Sequence, residues 1–463
     1  MFSFSINEPS WVHFIGIGGV SMSGLAELLV SRGFTVSGSD SKASKTTEHL
    51  ESLGIKVFIG NLASNISGKE DVVVYTAAVH QDNEELCAAR DKGIPLLTRA
   101  ELLGLIMKGY KDAVNIAGTH GKTTTTSMLA SIELASGFDP TVLVGGDFPG
   151  IGGNLRVGKT PHFVAEACEY TNSFLSFFPA HEIIMNIEED HLDFFKDIND
   201  IRNSFRRFME LVPEGGILLI NGAIPDVAGL TKGLKAKVLY FGLEADSTVP
   251  LDYTARNISY DELGLGSFTL VNVKEGRPVT DIKLSVCGAH NLIDALAAAS
   301  MADALGADPA AVSAALGRFT GAKRRFEYKG EFRGAPVFDD YSHHPSEIEA
   351  ALKTAKRYGD HRVVVVFQPH TYTRTRAFLP EFAKALSIAD SILLAPIYAA
   401  REKDPGDISS DNIAEILAKE GKDVHSFKSF DEIKDYLSKN ILQGDLLITM
   451  GAGDIVNISD SIV

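Results

Sequence analysis

At 463 residues the chain exceeds one ordinary domain and predicts about three. Its 45% hydrophobic and 22% charged residues are those of a globular protein, and its formal net charge of −16 excludes nucleic acid or an anionic membrane surface as the main partner. Cys87, Cys168 and Cys287 are scattered, in neither a disulfide nor a zinc spacing; with no basic-then-apolar leader and no apolar run near ~18 residues, a cytoplasmic location is expected.

Trp11 to Ile15 is a short apolar run, followed by G-I-G-G-V-S-M-S-G from Gly16 to Gly24. A helical pattern continues to Val30 and ends near Gly33. Phe34 to Val36 reads as a second strand, closed by Gly38, Ser39 and Asp40. Strand, glycine turn, helix, strand and then an acid form a Rossmann-like unit. Gly16, Gly18 and Gly19 would form its phosphate turn and Asp40 its ribose-binding acid. The third glycine of a dinucleotide fingerprint is replaced by Ser21. The unit therefore reads either as dinucleotide-binding or as a Rossmann-like domain without that ligand. Strands at Lys56 to Ile59 and Val72 to Tyr75 alternate with helical patterns around Glu84 to Asp91 and Arg99 to Met107, which implies a parallel sheet. The polar stretch from Lys108 to Asp112 reads as a linker.

The next segment opens with D-A-V-N-I-A-G-T-H-G-K-T-T-T-T, Asp112 to Thr126. A short buried strand runs into Gly118, Thr119, His120 and Gly121, then into a helix from Lys122 to about Ser136. Free N–H groups and the dipole at such a helix start favour an anion. Lys122 suits the β- and γ-phosphates of ATP, and the Thr123 hydroxyl suits Mg²⁺. The first glycine of a generic phosphate loop is Ile116 here. In H-F-V-A-E-A-C-E-Y, Glu166 falls at a strand's carboxyl end, where open α/β sheets bind ligands. A strand from Glu182 to Asn186 leads to I-E-E-D-H-L-D, with His191 just past its end. An acid and an imidazole there would suit Mg²⁺ or Mn²⁺, although imidazole is not the usual Mg²⁺ ligand. On spacing alone His191 reads as structural or substrate-facing. Strands are expected at Gly216 to Asn221 and Val238 to Phe241. Alternation from Leu251 to Val286 predicts antiparallel sheet attached to the parallel core. His290 and Asn291 open an alanine-rich helix, with Asn291 a candidate N-cap. Lys323, Arg324 and Arg325 read equally as a solvated linker or as a phosphate contact.

The last segment begins with a strand at Pro336 to Phe338 that ends in D-D-Y-S-H-H-P, and Pro345 starts a helix to about Tyr358. Arg362 to Phe367 is a buried strand ending in Q-P-H-T-Y-T-R-T-R, Gln368 to Arg376. Arg374 and Arg376 suit a carboxylate or phosphate. Further strands are expected at Ser391 to Pro396 and Asp445 to Met450. The fold class is α/β in three domains: a Rossmann-like N-terminal domain (1–108), a central P-loop ATPase-like domain with a mixed sheet (109–322) and a Rossmann-like C-terminal domain (323–463). Separate sites on three α/β units suit the joining of two molecules at a domain junction.

The ordered motifs G-T-H-G-K-T-T-T-T, E-A-C-E-Y, N-I-E-E-D-H, G-A-H-N, K-R-R-F-E, D-D-Y-S-H-H-P and Q-P-H-T-Y-T-R-T-R, with the N-terminal G-I-G-G-V-S-M-S-G-L-A, resemble the Mur ligases of peptidoglycan synthesis. The resemblance implies an ATP-dependent ligase that activates the lactyl carboxylate of UDP-N-acetylmuramate and joins it to L-alanine. It implies Lys122 and Arg325 on the phosphates, beside the Gly118, Thr119, His120, Gly121 and Thr124 loop. It places Thr123, Glu166 and His191 on two Mg²⁺ sites, where Mn²⁺ would substitute, and Asn291 and Asp340 on adenine and ribose. It assigns His344, Arg374 and Arg376 to the alanine carboxylate, and Gly16, Gly18, Gly19 and Asp40 to the sugar nucleotide. Relatives commonly carry an acid at Cys168 and an asparagine at Asp294. A ligase that joins a ready-made tripeptide to the same sugar nucleotide shares nearly all these motifs. An NAD-dependent dehydrogenase and an ATP-binding regulator are readings of other classes. A monomer or homodimer is expected, with neither nucleic acid nor membrane as partner.

Overall fold

The computed structural model describes residues 5–76, 79–359, 361–400 and 402–463. Among these residues, three sheets follow one another along the chain. The first is parallel, in the order Lys56–Ile59, Thr35–Asp40, Trp11–Ile15, Val72–Tyr75, Leu96–Thr98. Its central strand is buried because both faces are covered by helices, as its unbroken apolar run requires.

The middle sheet has ten strands. Asp112–Ala117 lies inside it, between His181–Ile184 and His162–Glu166, and all three run parallel. Beyond His181–Ile184 the sheet continues through Ile217–Asn221 and Lys237–Gly242 into Tyr253–Tyr260, Leu265–Asn272 and Arg277–Cys287, the last three antiparallel. The alternating stretch therefore forms an extension of the same sheet. On the other side, Thr141–Phe148 pairs parallel with His162–Glu166 and turns back into Gly153–Arg156, a hairpin whose pattern is not apparent in the sequence.

The third sheet places Asp445–Met450 between Ala335–Asp340 and Arg362–Phe367, with Ser391–Leu394 and Asp423–Ser426 beyond and Glu327–Phe332 as an antiparallel edge. One apolar core joins the first and middle sheets, through residues such as Leu103, Ile106, Phe163 and Phe177. The helix Arg99–Met107 approaches the Tyr170–Ser176 segment so closely that a Cβ on Gly104 would sit 1.9 Å from the Ser176 carbonyl oxygen. Polar bridges between side chains cross the junction of the middle and third units. Junctions of that kind permit relative motion. No helix among the described residues is long and apolar enough to cross a membrane.

Candidate functional site

The phosphate loop leaves the end of Asp112–Ala117 and enters the helix Lys122–Ala135. Gly121 caps that helix at φ 80°, and a Cβ there would lie 2.5 Å from Asp294 Oδ1. Only glycine meets both demands. Asn186 holds the loop: its Oδ1 accepts the His120 N–H at 2.8 Å and its Nδ2 donates to the His120 carbonyl at 3.1 Å. Lys122 folds back over its own loop. Its Nζ donates to the carbonyls of Gly118 and Thr119 and lies 3.1 and 3.4 Å from the two carboxylate oxygens of Glu169. Burial opposes the ammonium charge, but Glu169 outweighs it, so Lys122 stays protonated. Glu169 lies inside the quoted E-A-C-E-Y motif, yet its role was not apparent, because its partners stand 47 and 22 residues away in the chain.

The Thr123 hydroxyl donates to Glu166 Oε2 at 2.8 Å, and the Gly145 N–H donates to the same oxygen at 3.1 Å. This hydroxyl and carboxylate form the hard oxygen pair that Mg²⁺ prefers, so the residues fit the implied ion. His191 sits at φ 52°, with its ring 4.6 Å from that of Tyr170 and its Nε2 3.9 Å from Glu169 Oε1. A non-glycine residue in the left-handed region is a local strain common at functional sites. Glu169 thus links Lys122 to His191.

Three clefts surround the loop. The first lies between the initial and middle units and is lined by Gly16, Gly19, Thr76, Arg99, Glu166 and Cys168. Arg99 carries no distinguishing signal in the sequence, where it reads as an ordinary first-turn residue. Asp40 turns its carboxylate onto its own loop, accepting the Gly18 N–H at 2.9 Å. Burial pushes the Cys168 thiol up to about 11, so it stays neutral beside Glu166 and Glu169.

The second cleft holds His120, Gly121, Thr124, Asn291, Asp294, Arg325 and Asp340. The three consecutive cations separate. Lys323 pairs with Asp147 at the surface. Arg324 is bound by Asp339 and the carbonyls of Gly451 and Gly453. Only Arg325 faces the cleft, 3.8 Å from Glu347 and with its guanidinium carbon 5.3 Å from the Tyr341 ring centroid. Asp340 accepts the backbone N–H groups of Phe326 at 2.7 Å and Ser342 at 2.8 Å. The N-cap expectation for Asn291 is corrected. Gly288 caps the helix Ala289–Ala304, and Asn291, one turn in, donates to the Cys287 carbonyl at 2.7 Å. Gly288, at φ 105°, makes a turn that asparagine would enter only under strain. Burial lifts the Asp294 carboxyl to about 7, with Arg325 opposing.

The third cleft is lined by Asp190, His191, Tyr341, His343, His370 and Arg374. Arg374 donates through Nη2 and Nε to Asp190 Oδ1 at 2.9 and 3.2 Å, across the junction. Burial pushes the Asp190 carboxyl up, but Arg374, His191 and His343 pull it well below the usual carboxylate range. Burial pushes His343 down to about 3. Arg376 does not join this cleft: it is half exposed and pairs with Asp407. His344 is the N-cap of the helix Pro345–Arg357 and reaches the Glu189 carbonyl at 3.0 Å, outside the Arg374 cleft. His120 meets Glu188 and Glu347, each at 3.2 Å. Burial opposes its charge, but the two carboxylates lift it to about 9.

Comparisons with known proteins cover most of the chain. Three family descriptions match in order: Mur ligase family, catalytic domain, over residues 11–111; Mur ligase middle domain, over 116–302; and Mur ligase, glutamate ligase domain, over 324–453. The UDP-N-acetylmuramate–L-alanine ligases of Agathobacter rectalis and Lachnospira eligens are each 51% identical over 463 residues and cover 100% of both chains. The solved UDP-N-acetylmuramate-alanine ligase of Thermotoga maritima is similar with a TM-score of 0.80 at 29% identity, covering 98% of each chain. A murein peptide ligase from Psychrobacter arcticus shares the fold with a TM-score of 0.72 at 24% identity, covering 98% of each chain. With a phosphate loop framed by three clefts and three consecutive family matches, the chain belongs to the Mur ligase family of ATP-dependent ligases.

Proposed function

We propose that this chain joins L-alanine to the lactyl carboxylate of UDP-N-acetylmuramate in peptidoglycan synthesis, with ATP converted to ADP and phosphate. The observation that carries this reading is the arrangement of three clefts around one phosphate loop. Residues 1–108 would supply the sugar-nucleotide unit, 109–322 the ATP unit, and 323–463 the unit for the amino acid and the ATP ribose. Relatives with half their residues in common bear the name of this activity.

In the proposed chemistry the lactyl carboxylate attacks the γ-phosphorus, the bond to ADP breaks, and an acyl phosphate forms. The alanine amine, having lost a proton, attacks the acyl carbon. The tetrahedral intermediate collapses to the amide and expels phosphate. The main demand on the protein is to neutralise charge between anionic reactants. Lys122 would leave Glu169 for the β- and γ-phosphates, and Arg325 would meet the same group from the opposite wall. Thr123, Glu166 and His191 would hold Mg²⁺, which would neutralise developing phosphate charge. Arg374 would exchange Asp190 for the alanine carboxylate, with His344 and Arg376 as further candidates for that anion. Gly16, Gly18, Gly19 and Asp40 would shape the pyrophosphate turn, while Asn291 and Asp340 would face adenine and ribose.

The test is phosphate release with Mg²⁺, ATP and UDP-N-acetylmuramate, with L-alanine, with the tripeptide, and with neither. Release that requires both the sugar nucleotide and L-alanine is expected. Release only with the tripeptide would move the chain to the recycling reaction. No release with either would overturn the ligase reading.

A further inference from the structure

Where the phosphate loop touches the third unit, two imidazoles and a carboxylate converge. His120 Nε2 lies 3.2 Å from Glu188 Oε2. Ser346 Oγ stands between the rings, 2.9 Å from His120 Nε2 and 2.8 Å from His344 Nδ1. Ligand atoms of His120, Glu188 and His344 all fall within 4.8 Å of one another. The two ring centroids are 4.8 Å apart.

The outward nitrogens decide what the inward ones can do. His344 Nε2 is 3.0 Å from the Glu189 carbonyl oxygen, which only accepts. The His344 proton therefore sits on Nε2, and the Nδ1 lone pair faces Ser346. That lone pair also faces the Ser346 N–H at 3.4 Å. His120 Nδ1 is 3.2 Å from Glu347 Oε1 without hydrogen-bond geometry, so that carboxylate acts on it through charge, favouring a proton on Nδ1 and leaving Nε2 toward Glu188. Metal-bound histidines are held this way, with the far N–H given to a carbonyl or carboxylate that fixes ring and tautomer.

We propose that His120, Glu188 and His344 bind a divalent transition-metal ion of the zinc type, with the Ser346 hydroxyl or a water as fourth ligand. Two imidazoles and one carboxylate suit Zn²⁺, whereas Mg²⁺ prefers all-oxygen ligands. The site is thus chemically distinct from the Thr123 and Glu166 oxygens. On binding, any proton on His120 Nε2 leaves to solvent. The charges of Glu188 and Glu347 then face an ion of two positive charges. His120 and Glu188 belong to the middle unit and His344 to the third, so the ion ties the phosphate loop to the third unit. His120, Glu188 and Ser346 also line the second cleft, which gives the ion a path in and couples it to the nucleotide.

The chelator-stripped full chain is titrated with Co²⁺ alone, followed by visible absorption and equilibrium dialysis. One ion with a visible band that Zn²⁺ displaces is expected. Glu188→Gln and His344→Ala should abolish the band, and Glu347→Gln should weaken binding roughly 10–100-fold. Glu166→Gln should leave it intact. In small-angle scattering, Zn²⁺ should reduce the radius of gyration of the wild type but not of Glu188→Gln. His344→Ala removes a helix cap and so can perturb folding, but Glu188 has a half-exposed side chain and no capping role, so its variant stands as the independent check. Absence of a band, or a band that survives Glu188→Gln, overturns the proposal. So does a band removed by Glu166→Gln, which would place the ion among the phosphate-loop oxygens.

Discussion

The Arg374–Asp190 pair holds the middle and third units together, and its removal has a calculable effect. The two side chains are 9% and 8% exposed. Truncating one member of a buried pair costs about 3–5 kcal/mol, because the other charge is left without its partner. For Arg374→Met the lower end applies, since Asp190 Oδ1 still accepts the His191 N–H at 2.7 Å. The pair lies at the junction and outside either unit's core, so the loss falls on closure. About 3 kcal/mol corresponds to a shift of roughly a hundredfold toward the open form. Single-molecule energy transfer between dyes on the two units reads that equilibrium in Arg374→Met, Asp190→Asn and the double variant. The double variant should be closer to wild type than the sum of the singles predicts. Asp190 titrates below the usual range, so its contribution is complete above the ordinary carboxylate value and is lost as pH falls through the lowered one. The difference between wild type and Asp190→Asn should therefore be flat from about pH 5 to 9. Full closure in both single variants, or strict additivity, would refute the reasoning.

Lys122→Ala should abolish phosphate release while the circular dichroism spectrum stays that of the wild type; turnover in this variant would remove the ATP assignment. Gly121→Ala should weaken ATP binding roughly 5- to 150-fold by calorimetry, because the left-handed φ and the approach to Asp294 Oδ1 together cost about 1–3 kcal/mol; unchanged affinity would count against the loop geometry. With chelator present, the His120 ring should titrate near pH 9 by NMR rather than at its ordinary 6.5. That charged form contributes roughly 3 kcal/mol of stability, fully present below about pH 6.5 and lost as pH rises to about 9. The melting-temperature gap between wild type and His120→Gln should shrink over that interval, and a ring titrating below 7 would contradict this account.

Local pattern reveals what local physics determines. The strand, glycine turn and helix around Gly121 are readable because a buried strand, a forced turn and a helix start leave contiguous marks. The alternation from Leu251 to Val286 is readable because each strand there has one wet face. The Thr141–Phe148 hairpin is not, since Val142 to Val144 is buried on both faces and its partner strand has no clear period. The roles of Glu169 and Asp190 were hidden for a different reason. Each is one acid among several in its motif, and only the fold shows which one meets Lys122 or Arg374. The Lys323, Arg324 and Arg325 run shows the reverse case. Three adjacent cations look equivalent in sequence, but the backbone turns Arg324 and Phe326 through positive φ and sends the three side chains to three environments.

The position of Asp112–Ala117 inside the ten-stranded sheet has a consequence for biosynthesis. Both of its neighbours, His162–Glu166 and His181–Ile184, are synthesised later. The helix that follows it shares a core with Ala289–Ala304, about 170 residues downstream. At roughly 5–20 residues per second, translation leaves that helix without this partner for roughly 10–30 seconds. The glycine turn before Lys122 is thus encoded early and its surroundings completed late. A ribosome-bound chain halted before Ala304 should hold a folded first unit yet retain no nucleotide, and the helix Lys122–Ala135, lacking its Ala289–Ala304 partner, should be the segment that chaperones engage.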